Sequence, residues 1–112
     1  MKVPLHSAVS IPEEKLRLYL LNPNHPVGGP KAVFFRKLGF APDRLPAFAE
    51  ALRTHVNECE VSEVQTMSFG VVFAVEGPLK TPSGQSAQVV RSVWIVESDG
   101  SPLRLVTAYP IG

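Results

Sequence analysis

Along the first half of the chain, apolar residues recur at helical spacing. Leu16, Tyr19 and Leu20 mark one face of a first helix, with Ser10 as its cap, Pro12 in its first turn and Glu13 at capping-box distance. Asn22-Pro23 stops it, because the residue before a proline is pushed out of the helical region. After the loop from Asn22 to Gly29, Pro30 opens a second helix over Lys31–Leu38, with Phe34 and Leu38 on its stripe and Gly39 as its stop. Asp43 caps a third helix reaching about Val56, whose stripe is Leu45, Phe48, Leu52 and Val56.

Beyond Cys59 the period changes to two. Val61–Met67, Val71–Leu79, Ala87–Glu97 and Leu103–Tyr109 read as strands separated by turn residues, and Gly77-Pro78 predicts a bulge or interruption late in the second. Connections this short make neighbouring strands antiparallel. The expected fold class is α+β: two to three N-terminal helices packed on one face of a four-stranded antiparallel meander, leaving the other face free as a cleft. Residues 1–10 form an N-terminal extension and residues 11–112 one domain.

Composition narrows the class. At 112 residues there is room for one core. No apolar run approaches a bilayer span, and Met1-Lys2-Val3-Pro4-Leu5-His6 lacks the hydrophobic stretch of a signal peptide, so a cytoplasmic location without membrane contact is expected. One cysteine, Cys59, excludes an internal disulfide and a thiolate-rich zinc site, and it reads as structural. Net charge is +1, but residues 1–57 hold eight Lys/Arg against four acids, whereas residues 58–112 hold three against six. The first half can therefore present a face to a polyanion, or the two halves are simply solvated surfaces of opposite sign.

No His, Asp, Glu or Cys cluster has metal spacing, no nucleophile elbow is present, and Gly28-Gly29-Pro30-Lys31 falls short of a nucleotide-binding loop. No metal and no cofactor are expected. The unusual segment is His25-Pro26-Val27-Gly28-Gly29-Pro30-Lys31. A lysine in a first helical turn opposes the macrodipole unless an anion sits there, and the glycines allow close backbone approach to one. A histidine and a lysine beside a phosphate are what metal-free RNA cleavage requires: one takes the 2′-OH proton, the other stabilises the phosphorane. The alternative is that Asn24 and His25 only shape a turn and Lys31 is solvated. Arg91 is a cation in an apolar strand and suits a forked phosphate contact, while Ser92 and Trp94 share the opposite side. Thr107 and Tyr109 share a face of the last strand; either hydroxyl can bond a phosphate oxygen, and Tyr109 can stack on a base. His6 and His55 are weaker candidates, and Trp94 reads as core.

Lys15-Leu16, then Tyr19-Leu20-Leu21-Asn22-Pro23-Asn24-His25-Pro26-Val27-Gly28, Lys31-Ala32 and Phe34-Phe35, with the later Arg91-Ser92-Val93-Trp94-Ile95 and Arg104-Leu105-Val106-Thr107-Ala108-Tyr109, resemble a family of small bacterial domains. These domains occur alone or at the C-terminal ends of contact-dependent growth-inhibition and other polymorphic toxins. The toxin members look like BECR-type ribonucleases, the barnase, EndoU, colicin and RelE-like superfamily. The resemblance implies a BECR-like fold and metal-independent cleavage of tRNA or other RNA to a 2′,3′-cyclic phosphate. By position it points to His25, Lys31, Arg91 and Thr107 as catalytic residues, with His25 as general base or acid. Asn22, Gly28, Tyr109 and Ser92 are then the expected substrate contacts, Ser92 standing where the family usually has threonine. An acidic antitoxin or immunity protein is the implied partner. A non-catalytic RNA- or protein-binding relative is the alternative, with Asn22 and His25 satisfying backbone groups of the loop.

Overall fold

The structure is a computed structural model that describes residues 8–22, 24–26, 29–82, 89–98 and 101–111. Strand β1 (Val9–Ser10) leads through Pro12 into α1 (Glu13–Lys15), where Glu13 and Glu14 complement the helix dipole. Ser10 is part of the strand and makes no cap. The helix widens at once into a π-helical turn, Leu16–Leu20, in which Leu21 N–H donates to the Leu16 carbonyl at 2.9 Å. Leu16 and Leu20 are buried and Tyr19 half-buried, so the predicted stripe exists at a different pitch.

Helix α2 (Gly29–Lys37) buries Gly29, Ala32 and Phe35, with Phe34 and Leu38 packed at the core margin. The fully buried line is Gly29, Ala32 and Phe35, and the expected Phe34–Leu38 stripe flanks it, half-buried. Gly39 ends it at φ 101°, a left-handed conformation suited to glycine, while Phe40 N–H donates to the Phe35 carbonyl. Asp43 does not cap α3 (Leu45–Glu58). It lies in a 3-10 turn, Pro42–Arg44, and Pro46 at the helix start leaves one fewer N–H to satisfy. The α3 stripe is as expected: Leu45, Phe48, Leu52 and Val56 are all buried.

The sheet comprises β2 (Glu60–Met67), β3 (Gly70–Pro78), β4 (Val89–Val96) and β5 (Leu103–Pro110) in an antiparallel meander. It has five strands, because β1 adds to β5 in parallel, pairing Val9 with Leu103 and Ser10 with Arg104. The extra strand comes from the stretch read as an extension. No bulge occurs at Gly77-Pro78; the β3–β4 register runs through both residues. Gly77 instead permits a close approach, since a Cβ there would lie 2.4 Å from the Cys59 Sγ.

Two bulges do occur, at Ser62 in β2 and at Val106 in β5. The second decides what the sheet displays. Leu103 and Leu105 point into the core, and strict alternation would send Thr107 and Tyr109 after them. The extra residue Val106 reverses the parity: Val93 pairs with Thr107 and Arg91 with Tyr109, while buried Ser92 pairs with buried Ala108. One face therefore stacks Val75, Val90, Trp94, Leu105 and Ala108 in a core with α3 residues Phe48, Leu52 and Val56. The other carries Glu76, Arg91, Thr107 and Tyr109, all half-exposed.

Candidate functional site

The site lies along β5, where the open face meets the π turn and α2. Lys15 Nζ donates to the Val106 carbonyl at 2.7 Å, tying α1 to the bulge. Lys31 Nζ donates to the Tyr19 hydroxyl at 2.7 Å and to Thr107 Oγ1 at 3.2 Å, and the two hydroxyls are 3.3 Å apart. Three segments remote in sequence thus close a triangle around one ammonium. That ammonium also lies 5.0 Å from the centroid of the Tyr19 ring and 5.5 Å from that of Tyr109.

His25 enters from the loop between the π turn and α2. Its N–H donates to the Asn22 carbonyl at 3.1 Å, and its carbonyl accepts from Gly29 N–H at 2.9 Å. Its ring meets Tyr19 edge to face, centroids 4.9 Å apart. On the far side, Arg91 Nη1 lies 3.5 Å from the Tyr109 hydroxyl, and Arg91 Nε and Nη2 both donate to Glu76 Oε2, the former at 2.9 Å. The residues form one run across the surface: His25, Tyr19, Lys31 with Thr107, Tyr109, Arg91, Glu76.

Electrostatics follow from these contacts. Burial draws the Tyr19 phenol upward, but hydrogen bonds from Lys31 and Thr107 and the charges of Lys31 and Lys15 outweigh it, leaving its pKa lowered. The hydrogen bonds from Arg91 and then Ser62 hold the Glu76 carboxyl below its ordinary range, and Glu76 in turn raises Arg91. The triangle is rich in protons. Lysine contributes three N–H and the hydroxyls one O–H each, so among the described residues the internal bonds leave one ammonium proton and one hydroxyl proton for a ligand. Such a surface suits an oxyanion.

His25, Lys31, Arg91, Thr107 and Tyr109 thus come together in one run of contacts. Asn22 and Ser92 do not join this run of contacts. Asn22 Oδ1 accepts from Asn24 N–H at 3.0 Å and its Nδ2 donates to the Leu18 carbonyl at 3.2 Å, so its amide shapes the loop. Ser92 is fully buried on the opposite face, where its Oγ accepts from Trp94 Nε1 at 2.8 Å and lies 2.8 Å from His55 Nδ1. Gly28 and His6 lie outside the described residues. Sequence reasoning missed Tyr19, Lys15 and Glu76 as site residues. Tyr19 was absorbed by an apolar stripe, whereas Glu76, an acid within the run Val71–Leu79, carries the same signal that singled out Arg91.

A cleft of about 400 Å³ adjoins the Glu76 end of this run, between the end of α3 and strands β2 and β3, lined by residues including His55, Cys59, Glu76 and Lys80. Among the described residues no group of three His, Cys, Asp or Glu is placed to hold a metal ion, and no helix is long and apolar enough to cross a membrane.

In fold, the chain is similar to a chain of the contact-dependent growth inhibition toxin–immunity protein complex from Klebsiella pneumoniae 342. The TM-score is 0.73 and the identity 19%, with 90% of this chain and 98% of that one covered. In sequence, no curated protein matches. Residues 2–112 match the domain of unknown function DUF6883, and the chain belongs to that family.

Proposed function

We propose that this domain is a toxin-like, metal-independent ribonuclease acting on tRNA or another RNA. The observation that carries the reading is the triangle of Lys31, Tyr19 and Thr107, with His25 against one side and Arg91 reached through Tyr109 on the other. The shared fold with a chain of a toxin–immunity complex supports the setting and the expectation of a protein inhibitor, acidic enough to cover this cationic surface.

In this reading the scissile phosphate sits over the triangle. Lys31 supplies its free N–H and charge to the phosphorane, and Thr107 fixes the ammonium. Arg91 is aimed by Glu76, which takes Nε and Nη2 and leaves the Nη1 edge toward Tyr109 for a second phosphate oxygen. Tyr109 offers a ring for a base. His25 takes the 2′-OH proton, and attack by that oxygen yields a 2′,3′-cyclic phosphate and a 5′-hydroxyl.

The test is a gel of total RNA incubated with the purified protein, with and without chelator. Cleavage that survives chelation and leaves cyclic phosphate ends is expected, with His25→Ala about 10²–10⁴-fold slower. Absence of cleavage, or equal cleavage by His25→Ala and Lys31→Ala, refutes the reading. A second reading, a domain that binds RNA or protein without cutting, is favoured by one feature: Lys31 and Arg91 both already have internal partners. RNA binding without cleavage, and without toxicity on expression, selects it.

A further inference from the structure

Cleavage by 2′-OH attack needs two proton transfers, and His25 accounts for one. The 5′ oxygen leaves as a poor alkoxide unless an acid protonates it. That acid must be a proton donor beside the phosphate whose conjugate base is stabilised in place. Lys31 and Arg91 are already charged, and their work is to hold anionic oxygens. Thr107 has an alcohol, too weak an acid for the task.

Tyr19 has the required surroundings. Its oxygen accepts a 2.7 Å hydrogen bond from an ammonium, so negative charge left there meets a cation that need not move. A second ammonium, Lys15, stands 5.7 Å from the ring centroid. The ring meets the His25 imidazole edge to face, centroids 4.9 Å apart, so base and phenol are near enough to serve one phosphodiester. The π turn holds the phenol toward β5, within 3.3 Å of Thr107, and the side chain is half-buried and open to a ligand.

Resting on the ribonuclease reading, we propose that Tyr19 is the general acid of this site, its phenol protonating the departing 5′ oxygen while Lys31 holds the phenolate. The P–O2′ bond forms as the P–O5′ bond breaks. The 2′ proton passes to His25, the electron pair departs with O5′, and O5′ takes the Tyr19 proton. Imidazolium and phenolate then exchange with water, so no proton is consumed over the cycle.

The test compares the protein with Tyr19→Phe, which keeps the ring and removes only the acid. Two substrates are used: a short RNA and a uridine 3′-phosphodiester whose leaving group is 4-nitrophenol, stable without protonation. The expected result is a loss of ~10²-fold or more on RNA but less than about threefold on the activated diester. Equal losses on both substrates assign the phenol a structural role and overturn the proposal, as does undiminished RNA cleavage by Tyr19→Phe. If the unmodified protein cleaves neither substrate, the ribonuclease reading has failed and takes this inference with it. If it cleaves both and Tyr19→Phe matches it, only the inference falls.

Discussion

Two hydrogen-bonded clusters join helix to sheet in this molecule, one on the core face of β3 and β4 and the other on the open face of β5. On the core face, α3 offers His55, whose Nδ1 lies 2.8 Å from Ser92 Oγ and whose Nε2 lies 3.0 Å from the Gly77 carbonyl, while Trp94 donates to the same serine. At the β5 edge, α2 offers Lys31 to Tyr19 and Thr107. The first cluster is closed. His55 is 2% and Ser92 0% exposed, and no buried side-chain N or O among the described residues lacks a hydrogen-bond partner. With Nε2 protonated toward a carbonyl and Nδ1 accepting from serine, one neutral tautomer satisfies every group. The second cluster is half-open and has donors to spare. A closed network holds a structure together, and an open one with surplus protons can hold something else.

This contrast predicts that damage to the two clusters separates activity from stability. Lys31→Ala is expected to cost the most: about 10³-fold in RNA cleavage, since it removes a charge and a donor from the phosphate site. Its effect on unfolding should stay within about 1 kcal/mol, because water reaches the two hydroxyls it leaves behind. His55→Ala should do the opposite, lowering stability by about 2–4 kcal/mol in a denaturant titration through the cavity and the stranded Ser92 hydroxyl and Gly77 carbonyl. Per folded molecule, its cleavage rate should be unchanged. Loss of cleavage in His55→Ala, at temperatures where it is folded, would erase the distinction.

Acid sharpens the same comparison. Burial lowers the His55 pKa, with bonds to the Gly77 and Val90 carbonyls opposing it in part. The unfolded chain therefore takes up this proton at higher pH than the folded one. Stability from His55 is complete above about pH 6.5, the ordinary histidine value, and declines as pH falls toward the lowered folded value. Chemical denaturation between pH 8 and pH 5 should show that decline in the unmodified protein and a flatter profile in a His55→Gln variant. Equal slopes would mean that His55 is not the group responsible.

How much of this could be read from the residues alone depended on the distance over which each signal acts. The α3 stripe and the antiparallel meander are local patterns, and they are present as the spacing predicts. His25 and Lys31 stand out because a short motif places a base and a cation around a glycine pair. Ser92 and Thr107 were harder, because a strand's parity does not say which side is the core. For Thr107 the parity itself breaks at Val106, and that bulge is answered by Lys15 from the far end of the chain. Tyr19 fits an apolar stripe equally well whether its hydroxyl meets water or a lysine; only the tertiary approach of α2 decides. Likewise, β1 is two residues long and gains strand character only from β5.

The smallest predicted effect concerns Glu76. Its carboxylate orients Arg91 and also cancels its charge, two influences on anion binding with opposite signs. The Glu76→Gln variant retains an oxygen that can accept from the guanidinium but removes the negative charge. Because the pair is half-exposed and screened by solvent, the net change should be small, a several-fold gain in affinity for RNA at low salt that fades as ionic strength rises. Glu76→Ala removes the orienting acceptor as well, so the gain in charge is offset by a freely rotating Arg91, and cleavage should fall even where binding does not. Fluorescence anisotropy with a labelled RNA at two salt concentrations separates these outcomes. Affinity unchanged in both variants, at both salt concentrations, would place Arg91 outside the phosphate site and confine it to the Lys31 triangle.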